Sequence, residues 1–108
     1  MIELKNKEQL EKMRTAGRIV AETLEIMKEM VKPGVTTEEL DRAAEQYIRK
    51  CQAIPAFKGY NGFPATLCTS VNEEDVHGIP GLRALKNGDI ISIDCGALYD
   101  GYYGDSAI

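Results

Sequence analysis

Apolar and small residues recur along the first third of the chain at Leu10, Met13, Gly17, Val20, Leu24, Met27 and Val31, in alternating steps of three and four. That period keeps one stripe on one face and predicts an amphipathic helix. Asn6 is placed to cap it, and Glu8 and Glu11 sit early, where the helix dipole favours acids. Lys32-Pro33-Gly34 ends it. The stripe spans about three heptads and carries a glycine, so it fits packing against a sheet better than a coiled-coil seam. A second helix opens at Thr36 or Thr37, with Thr36 and Glu39 at capping-box spacing. Its buried face reads Leu40, Ala43, Ala44, Tyr47, Ile48 and Cys51.

After Cys51 the pattern changes from helical to alternating. Ala53 to Phe57 is short and apolar, and Lys58 to Pro64 is a glycine-punctuated loop with two aromatics. Ala65 to Val71 reads as a strand, Asn72 to Asp75 as a turn, His77 to Gly81 as a stiff loop and Lys86 to Asp89 as another turn. Ile90 to Tyr99 and Tyr102 to Ile108 read as strands joined by a two-residue turn at Asp100-Gly101. Two helices followed by antiparallel strands predict an α+β fold, with residues 1–108 forming a single domain.

The turn fixes a register. A two-residue turn at Asp100-Gly101 pairs Tyr99 with Tyr102 and puts Asp105 opposite Gly96. Residues 94 and 96 share a face, so Asp94 and Asp105 are diagonal neighbours on it, ~7–8 Å apart at the backbone. Converging carboxylates repel unless a proton or a cation intervenes. Their hard oxygens suit divalent metals. Ser92 and Gly96 are small and leave room above that face, while Ile91, Ile93, Cys95 and Ala97 line the other and predict core. Geometry alone leaves two readings open: a metal-binding pair, or two solvated aspartates on an open sheet face.

Composition narrows the classes. The chain is 44% hydrophobic and 28% charged with a net charge of -4, and it contains no basic block, which disfavours nucleic acid held by phosphate contacts. No apolar run approaches the ~18 residues of a membrane span, and no signal peptide is visible. Cys51, Cys68 and Cys95 are widely spaced and odd in number, which fits a reducing cytosol better than a disulfide scaffold. The single histidine, His77, precedes Gly78-Ile79-Pro80 and is a candidate proton donor, or a plain loop residue. Tyr60 and Phe63 flank Gly62 and wall a pocket or cap the core; Cys68 fits a core position or a pocket floor equally well.

Several segments match one family. Glu11-Lys12-Met13-Arg14-Thr15-Ala16-Gly17-Arg18, Val31 to Val35, Gly59-Tyr60-Asn61-Gly62-Phe63-Pro64, Cys68 to Glu73, Val76-His77-Gly78-Ile79-Pro80, and above all Ile93-Asp94 through Asp100-Gly101 to Gly104-Asp105-Ser106 resemble the type I methionine aminopeptidases. The resemblance runs from about Leu4 to the last residue. It implies the N-terminal half of a pita-bread fold and a cytoplasmic enzyme, monomeric when complete, that removes the initiator methionine from nascent polypeptides at the ribosome. It implies two divalent metal ions (Co, Mn, Fe or Zn), with Asp94 binding one and Asp105 bridging both. It assigns His77 to the substrate near the scissile amide, and Phe57, Tyr60, Phe63 and Cys68 to the pocket for the methionine side chain. Phe57 and Phe63 depart from residues common in the family at those positions, and Asn61 stands where a histidine can occur. The family also draws a histidine and two glutamates from the second half of a chain about twice this length, so the expectation is a truncated chain, inactive alone. The alternative is a non-catalytic pita-bread module that binds peptides or proteins. The presence of both Asp94 and Asp105 weighs against it.

Overall fold

The computed structural model describes residues 6–72 and 79–108. Helix α1 spans Lys7–Met30 and α2 spans Thr37–Lys50. Four strands follow: β1 at Ile54–Pro55, β2 at Leu67–Val71, β3 at Ile91–Tyr99 and β4 at Tyr102–Ala107, with a 3-10 turn at Tyr60–Gly62. Asn6 caps α1 by accepting the Gln9 amide at 2.8 Å and donating its own amide to the Gln9 side chain at 2.9 Å. Thr36 caps α2 through the Glu39 amide.

Strand β3 is the centre of an antiparallel sheet. One of its edges pairs first with β2, Val71 opposite Ile91 to Leu67 opposite Cys95, and then with β1 at Ala97 and Leu98. Its other edge pairs with β4, Tyr99 opposite Tyr102 and Gly96 opposite Asp105, the register the two-residue turn requires. Asp100 and Gly101 have φ of 46° and 88°, the left-handed pair of a type I′ turn. Both helices cover one face of the sheet. Ile93, Cys95, Ala97, Leu67 and Val71 pack there against Val20, Leu24, Met27, Leu40, Ala44 and Ile48, all nearly or fully buried.

The buried face of α1 differs from the expected stripe. It runs through Ala16, Ile19, Val20, Thr23, Leu24 and Met27, while Leu10, Met13 and Gly17 are exposed. Lys12 pairs with Asp100 in the hairpin turn at 2.7 Å, so the turns of α1 before it have no sheet beneath them. Thr23 sits in the core because its hydroxyl donates to the Ile19 carbonyl at 2.7 Å and leaves no polar group unpaired. β2 and β3 begin at Leu67 and Ile91, later than expected, and the short strand β1 was not anticipated.

Among the described residues no helix is long and apolar enough to cross a membrane.

Candidate metal and side-chain site

The sheet face opposite the helices carries the chemistry. Residues paired across a ladder point the same way, so Cys68, opposite Asp94, shares that face with Asp94, Gly96 and Asp105. A cavity of about 860 Å³ opens over it. Asp94, half-buried, and Asp105, exposed, stand on its floor with Cys68. Phe57, Tyr60 and Phe63 form its aromatic wall, joined by Gly62, Pro64 and Ile79. Ser106 and Ala107 complete the rim. Six of the seven residues singled out from the sequence therefore line one cavity. The seventh, His77, lies outside the described residues, although the chain on either side of it is well fastened.

On one side, Asn72 donates its amide to the Ile90 carbonyl at 2.6 Å and accepts the Ile90 amide on its side chain at 2.9 Å. On the other, the Gly81 amide donates to the Thr37 hydroxyl at 2.8 Å, and the Gly81 carbonyl accepts the Glu38 amide at 2.9 Å. Leu85 then exchanges backbone bonds with Val35 and Gly34, each at 2.7 Å.

The room expected above Gly96 is taken. A Cβ on residue 96 would stand 2.9 Å from Phe57 Cε1, so the missing side chain is what lets the ring lie on the sheet. The Ala56 amide, donating to the Gly96 carbonyl at 3.0 Å, holds the adjoining backbone. Gly96 thus shapes a cavity wall instead of leaving empty space.

Sequence reasoning missed the supports beneath the site. The Asp41 carboxylate, on α2, accepts the backbone amides of Thr66 and Leu67 at 2.9 and 2.7 Å, fixing the start of β2 just before Cys68. Burial pushes the Asp41 carboxyl above its ordinary range, and those two amides partly offset it. One turn further, Glu45 accepts from Lys58 Nζ at 2.7 Å and Arg49 Nε at 2.9 Å, which holds its carboxyl below the usual range. Polar residues on a helix flank give no pattern that names a backbone partner, so neither role was legible. Burial first, then the charge of Asp94, raises the Cys68 thiol, which keeps it neutral at physiological pH.

Chemically, the face offers two carboxylates in an open cavity, with no group of three or more metal-ligating side chains among the described residues. Two carboxylates suit a hard divalent cation in type but leave most of its coordination to other groups.

The sequence profile of metallopeptidase family M24 matches residues 11–108. Methionine aminopeptidase 1 of Bacillus subtilis is 62% identical over 107 residues, and the methionine aminopeptidase of Clostridium acetobutylicum 59% over 108. Each of those matches takes in 99% of this chain and 43% of the relative. The solved methionine aminopeptidase from Rickettsia prowazekii matches with a TM-score of 0.92 at 45% identity, over 99% of this chain and 43% of that one. The one from Thermotoga maritima matches with a TM-score of 0.94 at 42% identity, over 100% and 44%. The chain therefore spans less than half the length of the relatives it resembles.

Proposed function

The chain belongs to metallopeptidase family M24 and has its pita-bread fold, and on that premise we propose that it serves the removal of N-terminal methionine from polypeptides. The observation that carries this reading is the meeting of Asp94 and Asp105 with an aromatic-walled cavity on one sheet face. The two carboxylates would hold divalent cations, two in the complete site and drawn from Co, Mn, Fe or Zn. A bound cation supplies a Lewis acid for the scissile carbonyl and lowers the pKa of bound water.

The rest of the work falls to this chain's own side chains. Phe57, Tyr60 and Phe63 give the methionine side chain an apolar wall, and its polarisable thioether suits aromatic edges and the Cys68 sulfur. Asp94 and Asp105 offer their carboxyl oxygens to positive charge beside that wall. His77 would contact the substrate near the amide, as hydrogen-bond partner or proton donor. The substrates would be nascent polypeptides meeting the enzyme at the ribosome in the cytoplasm, and the complete enzyme would be monomeric. By itself the 108-residue chain would turn over methionyl peptides negligibly, since two aspartates leave a metal pair mostly hydrated.

The test is a Mn²⁺ titration of the chain by calorimetry, beside Asp94→Ala and Asp105→Ala. We expect binding that weakens roughly tenfold or more in each variant, a loss of at least ~1.4 kcal/mol. Equal affinity in wild type and Asp94→Ala would remove the metal assignment. Rapid hydrolysis of a methionyl peptide by the chain alone with Mn²⁺ would overturn the reading of the site as incomplete.

A further inference from the structure

We infer that Glu45 is a positioning residue for the aromatic wall of the cavity, fastening both ends of the loop that carries this wall to helix α2. The inference rests on reading the cavity as a side-chain pocket, and it names what sets that pocket's width. Glu45 Oε1 accepts from Lys58 Nζ at 2.7 Å and from the Thr66 hydroxyl at 3.3 Å. Between those two residues lie Tyr60, Gly62, Phe63 and Pro64, all on the cavity. One carboxylate oxygen therefore closes the loop at its base.

The loop is stiff within itself. The Gly59 amide donates to the Phe63 carbonyl at 2.7 Å, and the Phe63 amide donates to the Tyr60 carbonyl at 2.9 Å. A stiff loop moves as a unit, so its place over the sheet depends on its fastenings. The Thr66 end is held twice, by Glu45 and by the Asp41 grip on the Thr66 and Leu67 amides. At the other end, Lys58 follows Phe57, whose ring lies against Gly96, and the Lys58 ammonium on Glu45 ties that end to the helix. The Glu45 and Lys58 side chains are 24% and 42% exposed, and pairs at such sites add little to global stability. Placement of a surface loop is a local equilibrium, however, and a weak contact can decide it. Loss of Glu45 should loosen the wall, leave the fold standing, and widen the range of apolar side chains the cavity accepts.

The chain contains two phenylalanines, Phe57 and Phe63, and both line the cavity. Labelling with 4-fluorophenylalanine therefore gives two ¹⁹F resonances, assigned by Phe57→Leu, and needs neither metal nor turnover. In Lys58→Met and Glu45→Ala we expect the Phe63 resonance to move in the same direction, the Phe57 resonance to move less, and the melting temperature to hold. The double variant should move Phe63 no further than Glu45→Ala alone, because the Lys58 contact is already lost in Glu45→Ala. Arg49→Met, which releases only the other carboxylate oxygen, should leave Phe63 in place. A Phe63 resonance unmoved by Lys58→Met in a folded chain would overturn the inference, as would additive shifts in the double variant. Lys58→Met decides the matter even if Glu45→Ala fails to fold. A chain that passes this test yet binds no Mn²⁺ would refute the metal reading and leave Glu45 in its role.

Discussion

Gly104 lies against the backbone of α1 at Ala16: a Cβ on residue 104 would stand 2.8 Å from the Ala16 carbonyl carbon and 2.9 Å from its oxygen. Because side chains alternate along β4, the position that faces the helix sends its neighbour Asp105 to the opposite face, toward the cavity. The closeness of helix and strand is thus part of what aims the carboxylate. Gly104→Ala meets backbone, which cannot rotate away, so we expect a loss of about 1–3 kcal/mol, as for other overpacked sites. Gly17, one residue along the helix from Ala16, has open space where its Cβ would go. Gly17→Ala should therefore raise stability by about 0.5–1 kcal/mol through helix propensity alone. Urea unfolding of both variants measures the pair, and equal signs would contradict the packing described.

Gly96 faces a softer obstacle. Its absent side chain makes room for the ring of Phe57, the far end of a rotatable group, with Ala56 Cβ 3.2 Å from the built position. Gly96→Ala should cost less than Gly104→Ala, because the ring can turn aside, but it should move that ring. The expected outcome is a displaced Phe57 ¹⁹F resonance with a small fall in the urea midpoint. A Phe57 signal that stays in place would mean the ring does not rest on this glycine.

The hairpin was readable because Asp100-Gly101 admits one turn geometry, and the turn then counts off the register to Asp105 without any tertiary knowledge. The cap and buried face of α2 were readable for a similar reason, since Thr36 and the spacing of Leu40, Ala44 and Ile48 are local signals. The face of α1 was harder. Thr23 looks polar in sequence but satisfies its hydroxyl inside its own helix, while Leu10 looks buried but precedes Lys12, where the hairpin turn meets the helix, and Met13, just after it, is still 37% exposed. β1 has two residues, one of them a proline, and owes its place to pairing with Ala97 and Leu98. Asp41 was silent because its partners are backbone amides 25 and 26 residues away. Long-range polar support leaves no periodic trace.

Cys95 offers a check on the core. It is fully buried between β2 and β4, and burial pushes its thiol up to about 12. Thiolate is the reactive form, so Cys95 should resist alkylation in the native chain at pH 8. Cys51, only half-buried, should react first. Iodoacetamide followed by peptide mass spectrometry should find Cys95 modified only after denaturant is added. Labelling of Cys95 as fast as Cys51 would mean that β3 does not sit at the centre of the sheet.

Asp41 makes a prediction about pH. Its carboxyl is raised above the ordinary value of 3.8, chiefly by burial, with the Glu45 charge adding to the rise and Lys58 and the two backbone amides opposing it. A raised acid means the folded chain holds the proton more tightly than the unfolded one. Between 3.8 and the raised value the folded state binds more protons, so this group's contribution to stability falls as pH rises through that window and is level above it. Glu45 is shifted the other way, so its contribution is present above 4.5 and is lost as pH falls through its lowered value. The two trends mask each other in the intact chain. Asp41→Asn separates them, because the amide oxygen can still accept the Thr66 and Leu67 amides while the titration disappears. Relative to wild type, Asp41→Asn should therefore gain stability as pH rises from about 4 through the window and then hold a constant difference. Urea midpoints of the two proteins across pH 4 to 7 measure that difference. A difference that runs the opposite way would mean the Asp41 carboxylate is stabilised by its amides more than it is penalised by burial.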